Sequence, residues 1–96
     1  MAIAENGSSA DQDGIVVGLS ALCWTLEDRA RADRLIALTG LAPADLRALA
    51  EDPAVLAAVL RFLEGHEPDL IACAAALALD PKALVQARIL LEGATP

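Results

Sequence analysis

The sequence predicts an all-α fold, a compact bundle of five to six short helices, and three observations support that prediction. The 96-residue chain contains 22 Ala and 17 Leu, whereas the aromatic and β-branched residues typical of strands are scarce. Apolar residues recur at the three- and four-residue spacing of helices. Proline follows an alanine or an acid in four units that are typical of helix starts, namely Ala42-Pro43, Asp52-Pro53, Glu67-Pro68 and Asp80-Pro81.

These signals divide the chain into a short arm and one domain. Residues 1–10 are polar and small and include Gly and Ser, and we expect them to form a disordered N-terminal arm. Residues 11–96 then form a single helical domain. Its predicted helices cover residues 12–25, 28–38, 43–50, 53–64, 68–78 and 81–92. Gly40, Gly65 and Gly93 follow apolar runs and are expected to end helices in the left-handed conformation.

The first three predicted helices differ in how much of their surface is apolar. The first carries a second apolar line, Val17, Ala21 and Trp24, so that it is apolar around much of its circumference and belongs at the centre or in an interface. The second begins with a charged, solvated face that includes the pair Glu27 and Arg31. The residues that the second and third helices are expected to bury are Ala32, Leu35, Leu38, Leu46 and Leu49.

The last three predicted helices each show one apolar face. Short connections make neighbours in sequence neighbours in space, as in other helical bundles. The residues expected to face the core are Val55, Leu56, Val59, Leu60 and Leu63 in the fourth helix, Leu70, Ile71, Ala74 and Leu77 in the fifth, and Leu84, Ala87 and Leu91 in the sixth.

The net charge of −7 limits the classes of partner. A negative surface repels phosphate backbones and anionic membranes on average. No apolar run approaches the roughly 20 residues that span a bilayer, and the N-terminus lacks the basic region of a signal peptide. The two cysteines, Cys23 and Cys73, lie far apart and are typical of reduced, buried thiols. We therefore expect a cytoplasmic protein that binds no membrane, and the charge disfavours nucleic acid as its partner.

The sequence offers no constellation of residues for chemistry. His66 is the only histidine, and no nucleophile stands beside it in a pattern typical of catalysis. The cysteines and His66 also lack the paired short spacings of metal sites. We therefore predict no enzyme, no catalytic residue, no metal, no cofactor and no small-molecule substrate.

An interface on the first helix is the leading functional hypothesis. Gly14 and Gly18 form a GxxxG pattern, which lets a helix approach closely, either within the chain or across a homodimer seam. Val17 and Trp24 lie on the same helix and complete the candidate interface. The sequence thus favours a non-catalytic protein-interaction or structural module that binds a protein partner or a second copy of itself.

A divergent helix-turn-helix regulator is the alternative. Residues 35–50 and 72–89 both have the outline of helix, turn and helix. The would-be recognition helices carry Arg47 in the first case and Lys82, Gln86 and Arg88 in the second. Because the surrounding charge is negative, nucleic-acid binding is disfavoured.

Blocks of sequence resemble a known family. They are Ala37-Leu38-Thr39-Gly40-Leu41, then Pro43, Asp45-Leu46-Arg47, Asp52-Pro53, Ala58-Val59-Leu60, Phe62-Leu63, Leu79-Asp80-Pro81 and Ala87-Arg88. In order and content these blocks, within about residues 19–91, resemble a family of short uncharacterised bacterial proteins, a domain of unknown function found mainly in alphaproteobacteria. The resemblance implies a small, all-helical, cytosolic protein and brings no activity or functional residue with it.

Overall fold

Six α-helices make up the part of the chain that the computed structural model describes, which is the backbone of residues 6–93 and the side chains of residues 13–93. No strand occurs within that range, and the predicted all-α bundle is confirmed. The helices are α1 (Asn6–Leu26), α2 (Arg29–Thr39), α3 (Pro43–Ala48), α4 (Pro53–Glu64), α5 (Glu67–Ala76) and α6 (Pro81–Gly93).

The first helix begins earlier than the sequence predicts. Helical backbone starts at Asn6, so residues 6–10 of the predicted arm belong to α1. Residues 1–5 of that arm, and residues 94–96 of the predicted domain, lie outside the described residues.

Three helices, α1, α4 and α6, form the centre of the bundle and make its most extensive contacts. The helix α2 packs on α1 and α4, and α5 packs on α6, α4 and α1. The short α3 is anchored by Leu46, which is buried. The largest share of the core comes from α4, whose buried residues are Leu56, Ala57, Val59, Leu60, Phe62 and Leu63.

The close packing of α1 against α4 and α6 depends on Gly18. A Cβ atom at this position would lie 2.9 Å from Leu56 Cβ and 3.3 Å from Leu91 Cδ1. One turn earlier, a Cβ atom at Gly14 would lie 3.4 Å from Leu91 Cγ, an ordinary van der Waals distance. Glycine at position 18 is therefore required by the approach of a neighbouring helix, whereas glycine at position 14 is not.

Acidic side chains begin several helices, as the sequence predicts. Asp52 Oδ1 accepts a hydrogen bond from the Ala54 N–H at 2.8 Å, and Asp80 Oδ1 accepts one from the Lys82 N–H at 2.9 Å. Asp28 precedes α2, and its Oδ1 accepts from the Arg31 N–H at 3.0 Å. That hydrogen bond lowers the pKa of the Asp28 carboxyl.

The helix ends follow the predicted pattern at one glycine only. Gly40 has φ 74° and donates its N–H to Ile36 O, so its predicted left-handed cap is confirmed. The same prediction is wrong for Gly65, which has φ −75° because the chain enters α5 at once and leaves no room for a left-handed reversal. It is also wrong for Gly93, since Gly40 is the only described glycine with positive φ.

An alanine takes the left-handed position at the end of α5. Ala78 has φ 58°, and the following N–H, that of Leu79, donates to Ala74 O at 2.8 Å. This six-to-one hydrogen bond is the Schellman pattern, in which glycine is the usual residue because a Cβ atom is strained there. The sequence gives no sign of this feature, since nothing distinguishes Ala78 from the alanines before it.

Three leucine and isoleucine residues expected in the core lie at the surface. Leu38 is 74% exposed, Ile71 is 52% exposed and Leu49 is 40% exposed. The backbone leaves the helix at Leu49, so α3 is shorter than predicted. The buried face of α5 runs through Cys73 and Ala74, and Ile71 falls outside it.

Within the described residues, no single helix is both long and apolar enough to cross a membrane. The pair α5 and α6 reaches that length and composition only when counted together, and the two helices are bent by 98° at the break between them.

Substitution of Gly14 and of Gly18 in α1 should have opposite effects. We expect Gly18→Ala to lower the free energy of unfolding by about 1–3 kcal/mol, because Leu56 must shift to admit the methyl group. Gly14→Ala should leave stability unchanged or raise it by up to about 1 kcal/mol, since alanine favours the helix. Denaturant unfolding of both variants measures the difference, and a Gly18→Ala protein as stable as the wild type would contradict the close approach.

Replacing Ala78 by glycine should stabilise the protein. Glycine removes the strain of a left-handed alanine, which is worth roughly 1 kcal/mol. Ala75→Gly, at an exposed position inside the same helix, is the matched control and should cost about 0.5–1 kcal/mol. The melting temperature should rise for Ala78→Gly and fall for Ala75→Gly. Equal changes in melting temperature would show that the backbone is not strained at Ala78.

Candidate functional site

Two adjoining cavities lie between the C-terminal end of α2 and the outer face of α4. One has a volume of about 460 Å³, and the other, toward the start of α5, has a volume of about 290 Å³. Leu38, Arg61 and Phe62 line both, so the two form one continuous depression, which we call the α2–α4 cleft. Its other lining residues are Arg34, Thr39, Leu41, Ala54, Val55, Ala58, Gly65 and His66.

A small hydrogen-bond network fixes the α2 side of the cleft. The Thr39 hydroxyl donates to Leu35 O at 2.8 Å and accepts from the Leu41 N–H at 3.2 Å. The left-handed Gly40 between them turns the chain sharply. Leu38 and Leu41 are thereby held on either side of one tight turn.

Leu38 is the most exposed large apolar side chain of the described residues. The buried contact of α2 is made by Leu35, with Ile36 partly packed beside it. Leu38 lies outside that contact face, and it borders the cleft beside Phe62, which is 9% exposed. The sequence prediction that Leu38 is buried is wrong because α2 is rotated so that its contact runs on the Ile36 side.

Basic side chains border the cleft, and each is held by a carboxylate. Arg34 Nη2 donates to Asp69 Oδ2 at 2.5 Å, and His66 Nδ1 lies 3.1 Å from the same oxygen. Arg61 Nη2 lies 2.6 Å from Glu92 Oε2. The Arg34 guanidinium also stands 6.0 Å from the centroid of the Phe62 ring, within the range of a cation–π contact.

The basic side chains of these pairs are more exposed than their carboxylates. Side-chain exposure is 45% for Arg34 and 51% for His66, against 14% for Asp69. It is 64% for Arg61, against 33% for Glu92. The rim of the cleft therefore presents the N–H donors of Arg34 and Arg61 outward.

The candidate interface residues on α1 are occupied within the chain. Gly14 and Gly18 are buried against α6 and α4, and Val17 is partly buried against the core. Packing inside the bundle thus accounts for the glycine at position 18 of the GxxxG pattern. Self-association through these residues stays a prediction.

Trp24 is covered by a side chain of α2. The Arg31 guanidinium lies 3.6 Å from the centroid of the Trp24 ring, and Arg31 Nη2 donates to Trp24 O at 2.5 Å. The Asp28 carboxylate lies 3.8 Å from Arg31 Nη1 and completes the cluster. Trp24 therefore joins α1 to α2, and sequence reasoning missed this role because Arg31 was assigned to a solvated face.

A separate cavity of about 380 Å³ adjoins Trp24 between α1 and α5. Cys23 and Glu27 line it together with Ser20, so its wall is mixed in polarity. Its leucines, Leu19 and Leu77, are partly buried against the core. This cavity lacks a strongly exposed apolar side chain such as Leu38.

The helices proposed for DNA recognition do not present a basic face. Arg47 is exposed on α3 beside Asp45, whose Oδ2 accepts from the Ala42 N–H at 3.0 Å. Arg88 of α6 is 18% exposed and bonds to Glu64 at 2.5 Å and Glu92 at 2.8 Å. The hydrogen bond to Glu64 raises the pKa of Arg88. Lys82 is then the exposed cation of α6.

Among the described residues, no three His, Cys, Asp or Glu side chains come close enough together to share a metal ion. His66, the N-cap residue of α5, makes no capping hydrogen bond through its side chain. Its interaction is with Asp69 one turn along the helix. His66 thus lies at the rim of the cleft, beside Asp69.

The comparison with known proteins assigns a family. A family model described as "Protein of unknown function (DUF3572)" matches residues 11–94, a range that contains the whole α2–α4 cleft. The chain belongs to the DUF3572 family. The resemblance to a domain of unknown function is thereby confirmed. No curated protein and no solved structure matches the chain.

The two thiols of this DUF3572 protein should differ sharply in reactivity. Cys23 is exposed, which corrects the expectation that both are buried, whereas burial raises the pKa of Cys73 to about 11. At pH 8, a thiol of that pKa is ionised to about one part in a thousand. We expect a disulfide reagent to modify one thiol of the native protein rapidly and the second only after unfolding. In Cys23→Ser the rapid phase should vanish; its persistence would place Cys73 within reach of solvent.

Proposed function

We propose that this DUF3572 protein is a non-catalytic interaction module that docks an apolar segment of a partner protein in the α2–α4 cleft. The observation that carries the proposal is Leu38, 74% exposed at the edge of two adjoining cavities. The proposal keeps the interaction role predicted from the sequence and moves its site from α1 to the cleft.

The energetic argument concerns apolar surface left in water. Burying a leucine side chain fully is worth about 1.5–3 kcal/mol relative to leaving it exposed. Leu38 is mostly exposed in the isolated chain, so most of this stabilisation is absent there. Leu41 and Val55, which line the same cleft, are only partly buried. A partner that covers Leu38 and enters the cleft would recover this free energy without any rearrangement of the bundle.

The cleft is held rigidly enough to serve as a preformed site. Its floor is α4, the helix that contributes most to the core, and its α2 wall is fixed by the Thr39 hydrogen bonds. Preformed sites lose little conformational entropy on binding, so modest contacts suffice for measurable affinity.

We further propose that the protein acts in the cytosol of an alphaproteobacterium, the group in which the resembling family is mainly found. The unpaired thiols Cys23 and Cys73 support a reducing compartment.

A polar substitution of Leu38 should abolish docking while sparing the fold. Leu38→Gln removes the apolar anchor at an exposed position, and we expect about 10- to 100-fold weaker partner binding with an unchanged melting temperature. Ile71→Gln, which removes an exposed isoleucine from α5, is the matched control. Immobilised wild type and both variants are compared by quantitative capture from a bacterial extract. Proteins retained by the wild type and Ile71→Gln but lost from Leu38→Gln support the site, whereas equal retention by all three excludes it.

A further inference from the structure

The shape of the cleft selects for a helical occupant. Ala54 and Ala58 lie one turn apart on α4 and form a floor of small side chains. A further cavity of about 230 Å³ extends across these alanines to Arg61 and Glu92 on the opposite flank. Small residues let a second helix axis approach closely, and α4, with 12 residues, offers a length of about 18 Å, or three helical turns.

The other common docking mode lacks its structural requirement here. An extended peptide binds by adding a strand to the edge of a sheet. No strand occurs among residues 6–93. The small-residue floor and the length of α4 suit a helix that lays one apolar face between Leu38 and Arg61.

The polar groups at the rim indicate which side chains the docked helix carries on its polar face. Arg34 and Arg61 border the cleft as the more exposed members of their ion pairs, and His66 lies at the same rim. A guanidinium has five N–H donors, and the intramolecular pairs use one of those of Arg34 and two of those of Arg61. On a protein of net charge −7, these outward-facing donors create a local preference for carboxylates.

From this geometry we infer that the occupant of the α2–α4 cleft is an amphipathic helix of a partner protein whose polar face is acidic. The inference rests on the proposed docking function and specifies its partner. Apolar residues of the partner at positions i, i+3 or i+4, and i+7 contact Leu38, Val55 and Phe62. Asp or Glu residues flanking that stripe reach Arg34 and Arg61.

Two helical peptides of about 16 residues test the inference. They share one Leu/Ala apolar stripe, and their polar positions carry Glu and Gln in one and Lys and Gln in the other. Binding to the full chain is followed by fluorescence anisotropy of labelled peptide, and the site is located from the backbone amide chemical shifts of the protein. We expect the Glu peptide to shift the amides of Leu38, Ala58 and Phe62, and to bind at least tenfold tighter than the Lys peptide at about 0.15 M salt, where repulsion from charges more than about 8 Å away is largely screened. This preference should shrink at high salt.

A pair of arginine variants assigns the preference to the rim. Arg61→Gln should weaken binding of the Glu peptide by about two- to fivefold, as expected for loss of one exposed ion pair. Arg47→Gln makes the same change at an exposed arginine of α3 that does not line the cleft, and it should leave the affinity within experimental error.

The outcomes separate the two proposals. Equal or tighter binding of the Lys peptide in the cleft overturns the acidic partner and keeps the docking function. Failure of both peptides to shift cleft amides overturns both. Sedimentation that shows a dimer of the chain alone, dissociated by Leu38→Gln, overturns the foreign partner in favour of a second copy.

Discussion

The close approach of α1 to α4 and α6 is the constraint on which the rest of the bundle depends. Gly18 is the point of contact, because any side chain there would meet Leu56 of α4. With α1 seated at that distance, Leu56, Leu60 and Leu91 are shielded from water and form the centre of the core. The outer helices α2 and α5 then pack on this centre. The outward face of α4 stays uncovered between the end of α2 and the start of α5, and it forms the floor of the cleft.

The acidic side chains also occupy positions in which they stabilise the fold. Carboxylates lie where a helix begins, as at Asp52 and Asp80, or where they hold an arginine, as at Asp69. The arginines that they hold near α4 extend further into solvent than the carboxylates do. The rim of the cleft thereby presents guanidinium N–H donors to solvent on a protein whose net charge is −7.

Local signals in the sequence predicted the secondary structure well. They could not predict features that depend on how the helices pack together. Proline and aspartate set the starts of α4 and α6 through interactions within a few residues, so the sequence alone was enough to predict where these two helices begin. The rotation of α2 that leaves Leu38 exposed depends on contacts with α1 and α4, which no local pattern encodes. The cleft likewise combines Leu38 and Phe62 from separate helices, and its rim pairs Arg61 with Glu92 across 31 positions. The left-handed alanine was missed for a related reason, since the composition around Ala78 is uniform and only the path of the chain determines its conformation.

The stacking of Arg31 on Trp24 has a spectroscopic consequence. The chain has one tryptophan and no tyrosine, so its ultraviolet emission arises almost entirely from one indole ring. That ring sits at the junction of α1 and α2, under a guanidinium and outside the lining of the α2–α4 cleft. Intrinsic tryptophan fluorescence therefore reports, without any label, whether α1 and α2 remain packed together at Trp24.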